Sequence, residues 1–434
     1  MTAAAAAIQN PTQMAGSVSG ISGPAGKPDT RSAVAAQGKT SVCVGNVGSG
    51  LESRRRPNTG NFPEVPAPGA SGLSDEQAEA VSAIVKAARS GRRRFVLAGL
   101  AGTGKTTVVR AVVERLPDLW IVTAAPTGKA AAVLRGKGGG DAVTLHSFLY
   151  RARQTAAGVA FDRKTQHVRP DLLIVDEASM IDRRLLADVE ALGCPTLFVG
   201  DPGQLEPVGD DPKLLSRPDA MLTTIHRQAG ESPIIRFAGV VRESRPFRPG
   251  RLGEVEVRPQ GPGLVGDVAA LAVRGTMALC GFNRTRVAIN RAVRDRLGID
   301  SPLPVAGEPL VCLRNNPSEG IFNGQTYRVA DCVQHGKGTV RLYLVDDLGT
   351  RFSGVVARTD HLHRDGPPDA GGTGPTEPAL FDFGYCLTVH KSQGSEWPDV
   401  AVVEQLAEAW DARRWRYTAV TRASRRLTYF MRTR

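Results

Sequence analysis

Short apolar runs punctuate this chain, separated by stretches whose apolar residues recur at helical spacing. The runs fall at 95–98 (Phe-Val-Leu-Ala), 119–123 (Leu-Trp-Ile-Val-Thr), 171–175 (Asp-Leu-Leu-Ile-Val) and 195–199 (Pro-Thr-Leu-Phe-Val). Apolar strands alternating with helices predict a parallel α/β sheet buried on both faces. The first helix opens at Ser74-Asp75-Glu76-Gln77, which has the form of a capping box, and Val81, Ile84, Val85 and Ala88 then mark one face. A different texture follows at 306–360. There Val340, Leu342 and Leu344 alternate with Arg341, Tyr343 and Val345, and Asp346-Asp347-Leu348-Gly349 supplies a turn before the next strand. Closely spaced strands of this kind predict a small antiparallel barrel. Val400–Val403 returns to the buried-strand pattern.

Residues 1–72 lack this periodicity. They are rich in Ala, Gly, Ser and Pro and are expected to form a disordered tail. The chain carries 55 Lys and Arg against 43 Asp and Glu, a net charge of +12, so a polyanionic partner and a merely basic soluble protein are both open. Its six cysteines (43, 194, 280, 312, 332, 386) are scattered without a C-x-x-C pair, and no apolar run approaches membrane-spanning length. A reducing, cytoplasmic setting is expected, with neither zinc site nor membrane.

The segment Gly99-Leu100-Ala101-Gly102-Thr103-Gly104-Lys105-Thr106-Thr107 sits between the first apolar run and a helical one. A glycine-rich turn there points backbone N–H groups at phosphates, helped by the helix N-terminus. Gly102, Thr103, Gly104, Lys105, Thr106 and Thr107 are therefore the candidate phosphate cradle. Lys105 would reach the β- and γ-phosphates and the Thr106 hydroxyl would ligate Mg²⁺. In Leu172-Leu173-Ile174-Val175-Asp176-Glu177, the acidic pair ends a strand. Asp176 suits Mg²⁺ and Glu177 suits activation of an attacking water. Gln204, in Gly200-Asp201-Pro202-Gly203-Gln204, is placed to sense a γ-phosphate or orient that water.

The full series resembles the RecD/Dda-like branch of superfamily 1B helicases, from Leu73 to the C-terminus. It comprises LSDEQ (73–77), GLAGTGKTT (99–107), TAAPTGKAA (123–131), TLHSF (144–148), VDEAS (175–179), GDPGQLEPVG (200–209), LTTIHRQ (222–228), TVHKSQGSEW (388–397) and YTAVTRA (417–423), in the family's order. The resemblance implies two RecA-like parallel-sheet motor domains, an SH3-like barrel insertion, and ATP-driven 5′-to-3′ travel on single-stranded DNA. The expected division is tail 1–72, first domain 73–212, second domain 213–305 and 380–434, insertion 306–365 and linker 366–379. Segment 149–170 is either a duplex-splitting hairpin or an ordinary connector.

The resemblance also implies residue roles. Gln77 would bind the adenine edge, although closing its capping box is equally compatible. Arg227 and Arg422 would reach the γ-phosphate, and Glu396 the ribose. DNA candidates are Pro126, Thr127, His146 and Phe148 in the first domain, and Asn283, His390, Lys391 and Gln393 in the second. Phe148 is equally a core residue, and Lys391 equally part of a solvated turn. Two departures stand out: Glu206, an acid where relatives usually have proline, is expected near the DNA path, and Trp397 replaces a commoner Phe or Tyr. Expected partners are single-stranded DNA and a fork, with replication or recombination proteins, for a monomeric enzyme. The rival readings are a subunit of a recombination nuclease, an RNA motor, and a weakly catalytic DNA-binding module.

Overall fold

The computed structural model describes residues 72–432 apart from 137–141, 156–157, 165–168, 208, 226–231, 315, 317–318, 322, 348 and 365–376. The expected tail, apart from its last residue, Gly72, lies outside the described residues.

The first sheet has the order β3-β2-β6-β7-β1-β8 and is parallel throughout. Its strands are β1 (Arg94–Gly99), β2 (Ile121–Ala125), β3 (Val143–Thr144), β6 (Leu172–Val175), β7 (Thr196–Gly200) and β8 (Ala220–Leu222). Strand periodicity sorts their side chains onto two faces. Phe95, Leu97, Ile174, Leu197 and Val199 face the helices α1 (Asp75–Arg89) and α2 (Lys105–Glu114), whereas Val96, Leu173, Val175 and Phe198 pack with residues of α5 (Arg183–Glu190). Both faces are covered, which is why these strands read as unbroken apolar runs. Helix α3 (Gly128–Gly136) follows β2, and α4 (Leu145–Leu149) follows β3. The capping box at Ser74 forms as expected. From α4 the chain enters an antiparallel hairpin, β4 (Tyr150–Thr155) with β5 (Gly158–Arg163), in the segment 149–170.

The second sheet has the order β17-β11-β18-β19-β10-β9. It is built from β9 (Gly250–Leu252), β10 (Val255–Pro259), β11 (Met277–Cys280), β17 (Cys386–Thr388), β18 (Trp397–Val403) and β19 (Ala423–Met431), and only the edge strand β9 runs antiparallel. Helices α6 (Pro233–Arg242), α7 (Leu264–Val273), α8 (Asn283–Arg296) and α9 (Ala412–Val420) accompany it.

Between the halves of this sheet lies a closed five-stranded barrel of β12 (Pro309–Cys312), β13 (Thr326–Gly336), β14 (Thr339–Asp346), β15 (Arg351–Arg358) and β16 (Ala379–Phe383). Val340, Leu342 and Leu344 point inward, each 1% exposed. Two expected boundaries move. The barrel's last strand is Ala379–Phe383, in the stretch assigned to the linker and second domain, because Phe381 and Phe383 fill the barrel interior beside Tyr327. Residues 220–222 pair with β1 and so belong to the first sheet, not to a domain starting at 213. A three-residue strand carries no periodicity of its own to announce that.

The barrel is clamped to α8 by two buried ion pairs. Arg286 pairs with Asp382, and Arg294 Nε donates to Glu308 Oε1 at 2.8 Å, with all four side chains at most 6% exposed. Glu308 also accepts from Val305 N–H and the Tyr385 hydroxyl, so its charge is satisfied without water. Losing one partner leaves the other charged and buried. Arg294→Met is therefore expected to cost about 3–5 kcal/mol, read as an earlier midpoint in urea unfolding.

Candidate nucleotide cleft and strand-binding surface

The sheet order β2-β6-β7-β1 brings four loops together at one end of the first sheet, where α/β sheets bind ligands. The loop after β1 needs left-handed backbone at Gly102 (φ 81°) and Gly104 (φ 79°), the latter capping α2, so glycine is required at both. Lys105 opens α2, and its ammonium donates to the Gly99 and Leu100 carbonyls at 2.7 and 3.1 Å. Thr103 is fully buried, with its hydroxyl bonded to the Leu100 carbonyl, so its side chain shapes the loop rather than lining the cleft. Thr107 lies outside the cavity lining.

Gln77 takes the capping role. Its Oε1 accepts from Ser74 N–H at 3.2 Å, and its Nε2 donates to the Thr103 carbonyl at 3.1 Å. At 2% exposure it is absent from the cavity lining, and the amide braces the phosphate loop from behind. An adenine contact is not the place this structure gives it.

A cavity of about 350 Å³ opens beside the loop, lined from both sheets. Lys105, Thr106, Asp176, Glu177 and Gln204 come from the first, and Glu396 and Arg422 from the second. Glu177 holds a left-handed backbone (φ 54°), an uncommon conformation for a non-glycine residue that is often found at functional sites. Burial raises the Glu177 carboxyl above the usual carboxylate range, and the neighbouring Asp176 pushes the same way; Arg422 and Lys105 oppose them. Gln204 is 6% exposed, and its Oε1 finds no partner among the described residues. A buried acceptor left open inside a polar cleft is suited to a ligand or a water. Arg422 is buried at 4% and held by the Thr418 carbonyl, the Ser395 carbonyl and the Thr421 hydroxyl. Arg227 lies outside the described residues.

Direct bonds cross the cleft. The Tyr417 hydroxyl donates to Asp201 Oδ2 at 2.8 Å and accepts from Ala101 N–H at 2.9 Å. Leu205 N–H donates to the Thr418 hydroxyl, and Gln393 Nε2 donates to the Leu205 carbonyl. Gln393, expected on the DNA, is thus 5% exposed and serves as a strut between the halves. Glu206 pairs with Lys213 and with Arg414 of α9, both at 2.8 Å, which makes it a further tie across the cleft.

Sequence reasoning missed Tyr417, Asp201 and Lys129. A tyrosine beside Trp415, Ala419 and Val420 on an Arg-rich amphipathic helix was the available signal, because a buried phenol needs a partner. Lys129 Nζ sits 4.0 Å from the Trp397 ring centroid and donates to the Thr326 hydroxyl at 3.2 Å, joining α3, β18 and the barrel. Burial lowers its pKa to about 8.

The strand-binding candidates divide. Thr127 caps α3 by accepting from Ala130 N–H, with Pro126 beside it half-buried. His146 is exposed, its ring 5.6 Å from Tyr150, while Phe148 packs against the first domain's core. In the second domain, Asn283 begins α8 and accepts from Arg286 at 3.2 Å. His390 lies edge-on to Trp410 at 4.8 Å, and Trp410 meets Phe282 at 5.5 Å. Lys391 is no solvated turn residue: burial and the nearby Arg286 guanidinium lower it to about 8.

Residues 72–246 match the AAA domain, and residues 383–428 match the UvrD-like helicase C-terminal domain. The chain is 31% identical over 390 residues to the ATP-dependent RecD2 DNA helicase of Deinococcus radiodurans, covering 83% of this chain and 49% of that protein. It is 28% identical to the RecBCD enzyme subunit RecD of Mycolicibacterium smegmatis, covering 76% and 67%. The chain thus spans about half the length of the RecD2 protein it matches. A solved Pif1 helicase from Bacteroides, in complex with ADP-AlF3 and ssDNA, superposes with a TM-score of 0.50 at 18% identity, covering 82% of this chain and 92% of that one. That likeness concerns the fold. With its motif series in order and both motor halves matched, the chain belongs to the superfamily 1B helicases of the RecD/Pif1-like type.

Proposed function

We propose that this chain is an ATP-driven motor that moves along single-stranded DNA and opens duplex ahead of it. The observation that carries the reading is the cavity lined by both sheets, with Lys105, Asp176, Glu177 and Gln204 on one wall and Glu396 and Arg422 on the other. A site divided in this way links nucleotide turnover to the spacing of two domains.

Lys105 and the loop N–H groups hold the β- and γ-phosphates. Thr106 and Asp176 supply the oxygen donors that suit a hard cation, and both line the cavity. Bound there, Mg²⁺ would neutralise phosphate charge. Glu177 takes the proton of the attacking water, and the Gln204 amide orients it. Arg422 stabilises charge developing on the γ-phosphate, and Glu396 holds the ribose. Thr127, His146, Asn283, His390 and Lys391 meet the strand through hydroxyl, amide, imidazole and ammonium groups. The β4–β5 hairpin is the wedge at the fork, and the family resemblance supports 5′-to-3′ travel.

Turnover is expected to rise about tenfold or more when single-stranded DNA is added, because the strand spans both domains. Duplexes with 5′ or 3′ tails, in DNA and in RNA, test the reading. Unwinding from 5′ DNA tails is the expected outcome. Equal turnover with and without DNA would sink it, and stronger stimulation by RNA would reassign the substrate.

A further inference from the structure

Helix α9 sends one hydroxyl into the opposite domain. Tyr417 is 2% exposed, and its phenol makes two bonds to two different loops of the first domain. It donates to Asp201 Oδ2 at 2.8 Å and accepts from the phosphate loop at Ala101 N–H, 2.9 Å away. Asp201 is 1% exposed, and its other oxygen accepts from Gly203 N–H at 2.9 Å. The turn that carries Gln204 is therefore shaped around the same carboxylate that Tyr417 holds. The ring lies tight against this turn: a Cβ on Gly203 would stand 2.9 Å from the Tyr417 ring. Thr418, the next residue, takes the Leu205 N–H, and Arg422 is anchored by its Nε on the Thr418 carbonyl.

We infer that Tyr417 is a positioning residue that transmits the placement of the second domain to the phosphate loop and to the Gln204 turn. The inference rests on the motor reading above and adds a route for it. A shift of α9 relative to the first sheet must stretch the bond to Ala101, the bond to Asp201, or both. The bond to Asp201 is buried and the bond to Ala101 part-buried, and both have ordinary hydrogen-bond lengths, so the hydroxyl holds the catalytic loops in register only when the two domains are in register. Arg422 follows the C-terminal end of the same helix and is tied to it through the Thr418 carbonyl, so its arrival and the ordering of the two loops are a single event.

Tyr417→Phe removes both bonds and keeps the ring that packs on Gly203. Steady-state ATPase is measured with and without single-stranded oligothymidine. The variant is expected to lose about tenfold in DNA-stimulated kcat, from two hydrogen bonds of ordinary net worth. Its KM for ATP should stay within about threefold, since the loop still holds phosphate, and its stimulation ratio should fall. A purely structural role would not split kcat from KM in this way. In a double-mutant cycle, adding Tyr417→Phe to Asp201→Ala should cost about threefold rather than tenfold, because the bond to Asp201 is already gone and only the bond to Ala101 remains to be lost. Full additivity, or a Tyr417→Phe variant that matches the wild type in stimulated kcat, overturns the inference. A wild-type chain whose turnover ignores DNA refutes the motor reading instead, so the two failures are distinguishable.

Discussion

A Glu177→Gln variant is expected to bind ATP normally and hydrolyse it at about a hundredth of the wild-type rate or less, the usual loss when a positioned general base is removed. Glutamine keeps the size of the side chain and a hydrogen-bonding oxygen, so the cleft need not rearrange. What disappears is the capacity to accept a proton. Glu177 is suited to that task because burial and the adjacent Asp176 hold its carboxyl above the ordinary range, closer to working pH. Lys105, Gln204 and Arg422 line the same cavity and remain to bind the phosphates. Nucleotide affinity, followed with a fluorescent ATP analogue, should change by less than about threefold while kcat collapses, the signature of an interaction made in the transition state. A variant that retains more than about a third of wild-type turnover would remove Glu177 from the role of base.

Much of this site was legible because its residues are local in sequence. A glycine-rich turn between strand and helix, or an acidic pair ending an apolar run, needs only a few neighbours to declare its chemistry. The strands of the first sheet were readable as unbroken apolar runs, and the inward positions 340, 342 and 344 by their alternation, since either pattern is written into the run itself. What escaped depends on partners far along the chain. Gln393 looked like a DNA contact, yet its amide meets the Leu205 carbonyl across the cleft. Glu206 looked like an acid in the wrong place, and Arg414 explains it. Tyr417 was visible as a letter in a motif, but its role requires Ala101 and Asp201 to be brought to either side of it. The strand 379–383 was misassigned because a Pro- and Gly-rich stretch precedes it, and because a parallel pairing with β15 leaves no hairpin signal. Gln77 presented two compatible roles, and only the packing of α1 against the phosphate loop chose between them.

Arg422→Gln is expected to lower stimulated kcat by about a thousandfold, the scale of losing an arginine that stabilises charge on a transferring phosphoryl group. It should also move the pH profile in a defined direction. The Arg422 charge favours the ionised form of Glu177 and partly offsets the burial that raises its pKa. Removing that charge lets the Glu177 pKa climb further. Hydrolysis needs the carboxylate, so activity is present above this pKa and lost as pH falls through it. The acidic limb of the kcat profile should therefore shift to higher pH in Arg422→Gln. Arg422→Lys separates the two contributions. An ammonium keeps the positive charge beside Glu177, so the limb should return toward the wild-type position. It cannot reproduce the planar fork that holds the Ser395 and Thr418 carbonyls and the Thr421 hydroxyl, so kcat should remain low. If the limb stays fixed in both variants, the charge of Arg422 does not reach Glu177, and the two walls of the cleft do not act on one reaction centre.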